Sequence, residues 1–233
     1  MMIFKRLPEL LFIMVFVVFL SAENSKAETW KITSLDWQPY SGSDMANQGE
    51  SINKLRELLK KEGIELVVDF YPWARAQKMA KTKDYIGYFP AWPEEVKEGF
   101  IASLPVDWSH IGVMTYSGSN ATWESIDKMF ANYRVGIIDT YAYPQDIADA
   151  MKKYPHNTKS APDELSLVKM LSSTSRFEVA LTDPNVMLYF AKKNNINNIQ
   201  VLNQNIQKKE LVISFRQGED NIKRIELLQK ILK

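Results

Sequence analysis

Segments with strand and helix signatures alternate from Trp30 to the end of this chain, and that alternation limits its possible folds more than any other feature. Residues 30–35 read as a strand, ended by Asp36-Trp37-Gln38-Pro39. Ser51 is placed to cap a helix with Ile52, Leu55, Leu58 and Leu59 on one face, and Gly63 to stop it. Residues 64–71 are β-rich, and Pro72 opens a short helix to about Lys81. Residues 85–89 form the next strand, closed by Pro90 and Pro93. Residues 111–116 form another, followed by the Ser117-Gly118-Ser119-Asn120 turn.

The pattern then restarts. Ile126, Met129 and Phe130 mark a short helix, and residues 134–138 a strand. Pro144 opens a helix with Ile147, Met151 and Tyr154 inward. Leu165, Val168 and Leu171 mark another helix. A short strand at 178–181 leads into a helix from Asp183-Pro184 to about Asn194. Residues 199–202 and 211–215 read as two strands, and Ile222, Ile225, Leu228 and Leu232 as the last helical face. Strands separated by helices imply βαβ units and largely parallel sheets. The two halves share an order of elements and no repeated residues.

Ahead of this pattern, residues 1–27 have the layout of an export signal. Lys5 and Arg6 precede an unbroken apolar run, residues 10–20, and Ser25-Lys26-Ala27 offers small residues for cleavage. A helix over that run rises only about 16 Å, short of the roughly 30 Å hydrocarbon core of a membrane. A cleaved signal and delivery to the periplasm are expected, with Ala22 as the alternative cleavage site. Lys and Arg number 29 against 28 Asp and Glu, so no basic excess suggests nucleic acid. With no cysteine, disulfides, thiolate metal sites and cysteine nucleophiles are excluded. Two histidines, His110 and His156, are too few for a histidine-rich metal site.

No motif of serine hydrolases, zinc proteases or phosphate-binding glycine loops is present, so no enzyme and no cofactor is expected. Glu94-Glu95 reads as a solvated surface pair, because adjacent side chains do not face each other. Asn120-Ala121-Thr122 matches a glycosylation sequon by chance. The aromatic residues are more informative. Trp37 and Tyr40 follow the first strand, Trp73 the second and Trp92 the third; Tyr141 and Tyr143 follow strand 134–138. Ligands of open parallel sheets collect at the carboxyl ends of strands. Aromatic faces there would grip a flat, apolar or cationic part of a solute.

Ordered motifs add a resemblance. Pro39-Tyr40, Pro72-Trp73-Ala74-Arg75 and Lys83-Asp84-Tyr85-Ile86-Gly87 follow one another with helices and strands between. Ile101-Ala102-Ser103-Leu104-Pro105, residues 135–141, residues 176–183 and residues 211–215 come after. Together they resemble the family 3 bacterial extracellular solute-binding proteins, the periplasmic receptors of polar amino-acid ABC transporters, over nearly all of residues 28–233. The resemblance implies an α/β, two-lobed periplasmic binding protein of type II. Each lobe would hold a mixed, mainly parallel sheet flanked by helices, and two crossing segments would form the hinge. Lobe one would comprise 28–113 and 207–233, and lobe two 114–206.

The implied function is capture of a small polar, amino-acid-like solute between the lobes and presentation to a membrane permease or a membrane sensor. A monomer is expected. The implied ligand-binding residues are Trp37, Tyr40, Trp73, Arg75, Tyr88, Trp92, Thr140, Tyr141 and Asp183. Trp73 would stack on the ligand, and Asp183 would pair with an amino group or simply cap its helix. One position departs from the family. Val96, between Glu95 and Lys97, stands where amino-acid receptors carry the arginine that clamps the ligand carboxylate. Arg75 is the candidate replacement. A sensory module of the same fold that has lost small-molecule binding is the alternative.

Overall fold

The computed structural model describes residues 28–173 and 176–233. The export-signal segment, residues 1–27, lies outside the described residues. Among those described, no helix is long and apolar enough to cross a membrane.

The first half builds β1 (Thr29–Ser34), α1 (Glu50–Lys60), β2 (Glu65–Phe70), α2 (Trp73–Met79), β3 (Gly87–Ala91) and β4 (Phe100–Ala102). The long strand β5 (Asp107–Tyr116) leads into α3 (Ile126–Asn132), β6 (Val135–Ile138), α4 (Gln145–Lys153) and β7 (Thr158–Ala161). Then come α5 (Glu164–Ser172), β8 (Val179–Thr182), α6 (Pro184–Lys193), β9 (Ile199–Arg216) and α7 (Glu219–Ile231). The strands run in the order β2-β1-β3-β9-β5-β8-β6-β7, with β4 also on β9.

Two lobes follow from the pairings. In one, β1 lies parallel to β2 and β3, and β3 and β4 lie antiparallel to the final third of β9. In the other, β6 lies parallel to β7 and β8, and β8 pairs antiparallel with the end of β5. β5 and β9 run antiparallel through both lobes, from Asp107↔Leu211 to Tyr116↔Ile199. They are the two crossing segments.

The expected pair of strands at 199–202 and 211–215 is therefore one strand of 18 residues. Its middle, Asn203 to Glu210, is polar and has no apolar period. It is extended because β5 pairs with it on both sides of residues 204–206, at Asn203 and from Gln207 to Glu210. Within the crossing, the register shifts around Val113, next to Gly112. A Cβ on Gly112 would lie 2.5 Å from the Asn203 carbonyl oxygen and 2.5 Å from Pro184 Cγ, so glycine permits the approach.

Other boundaries differ for local reasons. α1 is capped by Gly49 at φ 104°, not by Ser51, whose hydroxyl donates to Asp107 Oδ2 at 2.6 Å. Pro90 lies within β3 and does not close it; the β3–β9 register shifts between Tyr88 and Ala91, where proline has no N–H to offer. The inward face of α5 is Glu164, Leu167, Val168 and Leu171, with Leu165 only half-buried. In α7 the buried residues are Asn221, Ile225 and Leu228, whereas Ile222 is 47% exposed.

Candidate functional site

The turns after β1, β2, β3, β6, β7 and β8 converge on one cleft between the lobes. After β1 the chain folds back, with Trp37 N–H donating to the Ser41 carbonyl at 2.8 Å and Ser41 Oγ donating to the Leu35 carbonyl at 2.8 Å. This turn sets Trp37 and Tyr40 side by side, ring centroids 4.7 Å apart. Gly49 packs onto it so closely that a Cβ would lie 2.6 Å from the Tyr40 carbonyl oxygen. Pro72 caps α2 and delivers Trp73 at its first position.

Aromatic rings continue across the lobe boundary. Trp92 meets Trp37 edge-on at 6.2 Å, Tyr141 at 5.7 Å and Tyr143 at 6.2 Å. Trp37, Trp73, Trp92, Glu95, Tyr141, Leu35, Pro90 and Leu211 enclose a cavity of about 10 Å³, the scale of a single water. Next to it is a cavity of about 480 Å³, lined by residues of both lobes. Its walls are Leu35, Asp36, Phe70–Ala74, Ile138, Thr140, Tyr141, Pro162, Asp163 and Glu164. That volume falls in the range of small-molecule sites.

Two carboxyl groups face this region from opposite lobes, each belonging to a residue only 5% exposed. Glu95 is turned inward by a short 3₁₀ turn over Pro93–Glu95. Its Oε1 accepts from Trp73 Nε1 at 2.8 Å and its Oε2 from the Trp92 N–H at 3.1 Å. Burial nevertheless pushes its pKa up to about 7, with these donors and Lys97 pulling it back. The expected solvated pair is thus split. Glu94 lies outside and pairs with Lys209 at 2.6 Å, while Glu95 is buried.

Glu164 follows β7 and opens α5, behind the Asp163 cap. Burial pushes its pKa up to about 8; its own N–H and the Trp37 indole lower it, and Glu95 and Asp183 raise it. Trp37 Nε1 is near enough to favour the carboxylate, yet neither it nor Glu164 Oε1 has a hydrogen-bond partner of good geometry.

Asp183 forms a tie between the lobes. It is fully buried, and Oδ2 accepts from Tyr40 Oη at 2.9 Å and from the His110 N–H at 2.9 Å. Oδ1 caps α6 by accepting from Asn185 N–H at 2.7 Å and Val186 N–H at 3.4 Å. Burial raises the Asp183 pKa despite these donors, and burial next to Asp183 raises that of Tyr40. An exposed ion pair, Lys193 to Asp44 at 2.5 Å, adds a second tie.

Of the expected residues, Trp37, Trp73, Trp92, Thr140 and Tyr141 line the cavities. Tyr40 and Asp183 lie together behind Trp37. Tyr88 is fully buried, edge-on to Trp73 at 5.5 Å, with its hydroxyl donating to the Glu95 carbonyl at 2.6 Å. Arg75 is exposed, lines neither cavity, and holds its guanidinium 5.2 Å from the Tyr71 ring centre. Val96 packs against the core beside Glu95. Reasoning from sequence missed Glu95, Glu164, Leu35 and Tyr71. A usable signal existed for Glu164, which precedes Leu167, Val168 and Leu171 by three, four and seven residues, the spacing of one helical face. Among the described residues, no cluster of histidines or acids could hold a metal ion.

No family model and no curated protein sequence matches the chain. Solved structures do. The chain resembles a histidine kinase sensor domain with similarity to periplasmic binding proteins, at 14% identity over 87% of this chain and 90% of that one, TM-score 0.70. It resembles an ancestral arginine-binding protein bound to arginine at 18% identity over 88% and 90%, TM-score 0.71. It also resembles the GluR0 ligand-binding core from Nostoc punctiforme in complex with L-glutamate, at 18% identity over 86% and 92%, TM-score 0.63. The fold is therefore that of the two-lobed periplasmic binding proteins.

Proposed function

We propose that this chain is an exported solute-binding receptor. It captures a small polar solute between its lobes and presents the closed form to the permease of an ABC transporter. The observation that carries this reading is the 480 Å³ cavity walled by both lobes at the carboxyl ends of their strands. The fold shared with amino-acid-binding proteins supports it. Residues 1–27 would direct the chain to the periplasm and be removed. Lobe one would comprise 28–113 and 207–233, and lobe two 114–206, so that the register shift at Val113 falls at the hinge. Trp73 and Tyr141 would contact the solute from opposite sides, and Tyr40 and Asp183 would hold the lobes together around it.

A second reading keeps the fold and changes the output: a sensory or partner module that has lost small-molecule binding. The resemblance to a kinase sensor domain and Val96 in place of an arginine favour it. A thermal-shift panel of amino acids, amines, short peptides, organic acids and sugars tests both. At about a hundred times its dissociation constant, a solute stabilises by roughly 2.7 kcal/mol, a rise of about 5–11 °C in a chain of this size. A shift by one chemical class supports a receptor. A flat panel on refolded protein contradicts it and favours the sensory module.

A further inference from the structure

The lining of the two cavities is lopsided in charge. Asp36, Glu95, Asp163 and Glu164 contribute to it, and no lysine, arginine or histidine does. Asp36 and Asp163 are exposed and occupied locally, accepting from Ser43 N–H at 2.6 Å and Ser166 N–H at 2.7 Å. Glu95 and Glu164 are buried, where a carboxylate without a counter-charge is strongly disfavoured. The nearby cations are engaged elsewhere. Lys209, 5.7 Å from the Trp92 ring centre, is paired with Glu94, and Arg75 stacks on Tyr71.

Polar atoms are also left over. Glu164 Oε1 and Tyr141 Oη are buried without a hydrogen-bond partner in the protein, and both residues line the larger cavity. Phe70, Tyr71, Trp73 and Tyr141 are the aromatic walls of that cavity, and Trp37 and Trp92 line the small cavity beside it. An unmet carboxyl oxygen on Glu164, buried acids with no base in the cavity lining and clustered aromatic rings all select the same chemistry.

On the reading of this cleft as a solute site, we propose that its ligand is a small organic cation: a primary amine or guanidinium without a free carboxylate. Its N–H groups donate to Glu164, and its charge lies among the indole rings between Glu164 and Glu95. An α-amino acid is disfavoured, because its carboxylate would enter a cleft lined by four acids and no lysine, arginine or histidine. A quaternary ammonium is also disfavoured, because it has no N–H to offer Glu164. The charged cation supplies the counter-charge that Glu164 lacks and that Glu95 receives only in part from Lys97.

Titration calorimetry with putrescine, agmatine, L-glutamate and glutarate tests this assignment. Saturable binding of putrescine or agmatine is expected, with L-glutamate and glutarate silent. Glu164→Gln and Glu95→Gln should each weaken amine binding at least tenfold while still unfolding cooperatively, and Glu98→Gln, an exposed acid nearby, should not. Binding of glutamate or glutarate with both amines silent would overturn the cation assignment and leave the receptor reading standing. Amine binding unchanged in both glutamine variants would overturn the placement of the charge. A protein silent to these probes and to the full solute panel would overturn the receptor reading as well.

Discussion

A carboxyl group buried with little counter-charge holds its proton longer, and Glu95 and Glu164 both do so. Unfolded, each would release its proton near pH 4.5; in the fold they hold it to about 7 and about 8. Between those limits the native chain binds more protons than the unfolded chain. Its stability must therefore fall as pH rises from about 5 to 8 and level off above, by an amount on the order of a few kcal/mol. The groups that face these acids are few: Trp73 and Trp92 donors and Lys97 for Glu95, and the Trp37 indole, Glu95 and Asp183 for Glu164. Denaturant unfolding at a series of pH values checks the slope. Glu164→Gln should flatten its upper part; an unchanged slope in that variant would show that Glu164 is not the group responsible. Trp37, Trp73, Trp92 and Tyr141 were legible in the sequence because each follows a strand, whereas Phe70 and Tyr71 were read as part of the strand itself. Glu95 was not legible, because a glutamate beside another glutamate looks the same buried or exposed; Glu164 was missed although its spacing to Leu167, Val168 and Leu171 puts it on their helical face.

At the scale of elements, one missed strand explains one missed residue. β7 is a short edge strand, Thr158–Ala161, whose first three residues are polar, so no alternation marks it. Without β7 the turn that carries Asp163 and Glu164 has no reason to be searched as a strand end. The crossing strands show the same limit. The apolar ends of β9 were readable as strands, but its polar middle is held by β5 pairing at Asn203 and from Gln207 to Glu210, which no apolar period announces. This pairing depends on Gly112. In Gly112→Ala the new Cβ would press on the Asn203 carbonyl and Pro184, at the point where the register shifts. A cost of about 1–3 kcal/mol is expected, at about 2–4 °C of unfolding midpoint per kcal/mol. A thermal melt checks it, and an unchanged midpoint would mean that the crossing yields freely there.

For the whole molecule, a small number of side-chain hydrogen bonds and ion pairs among the described residues ties the two lobes together. Tyr40 reaches Asp183 across the cleft, and Asn185 Nδ2 donates to the Tyr40 hydroxyl at 3.1 Å. Removing the hydroxyl in Tyr40→Phe keeps the ring against Trp37 and loses this tie, worth about 0.5–1.5 kcal/mol. The variant should bind solute up to about tenfold more weakly, and small-angle scattering should find it more extended than the parent. A variant as compact as the parent would assign the closed form to ring packing alone. The exposed Lys193–Asp44 pair contributes little by comparison, because solvent screens both partners. The repeated order of strands and helices was legible in the sequence, and the two-lobed plan followed from the family that its ordered motifs resemble. How tightly the lobes meet was not, because it depends on contacts 143 residues apart, such as Tyr40 to Asp183.

The central claim is that a small solute binds among the indoles between the lobes. Intrinsic tryptophan fluorescence, titrated with whichever compound stabilises the protein most, tests it directly, because Trp73 lines the larger cavity and Trp37 and Trp92 line the small one beside it. The account predicts a saturable change in intensity or wavelength whose midpoint shifts to at least tenfold higher concentration in Trp73→Ala, the loss of a stacking face worth about 1–3 kcal/mol. A compound that stabilises the protein without changing this emission, and binds Trp73→Ala as tightly as the parent, would place binding outside the cleft and contradict the account.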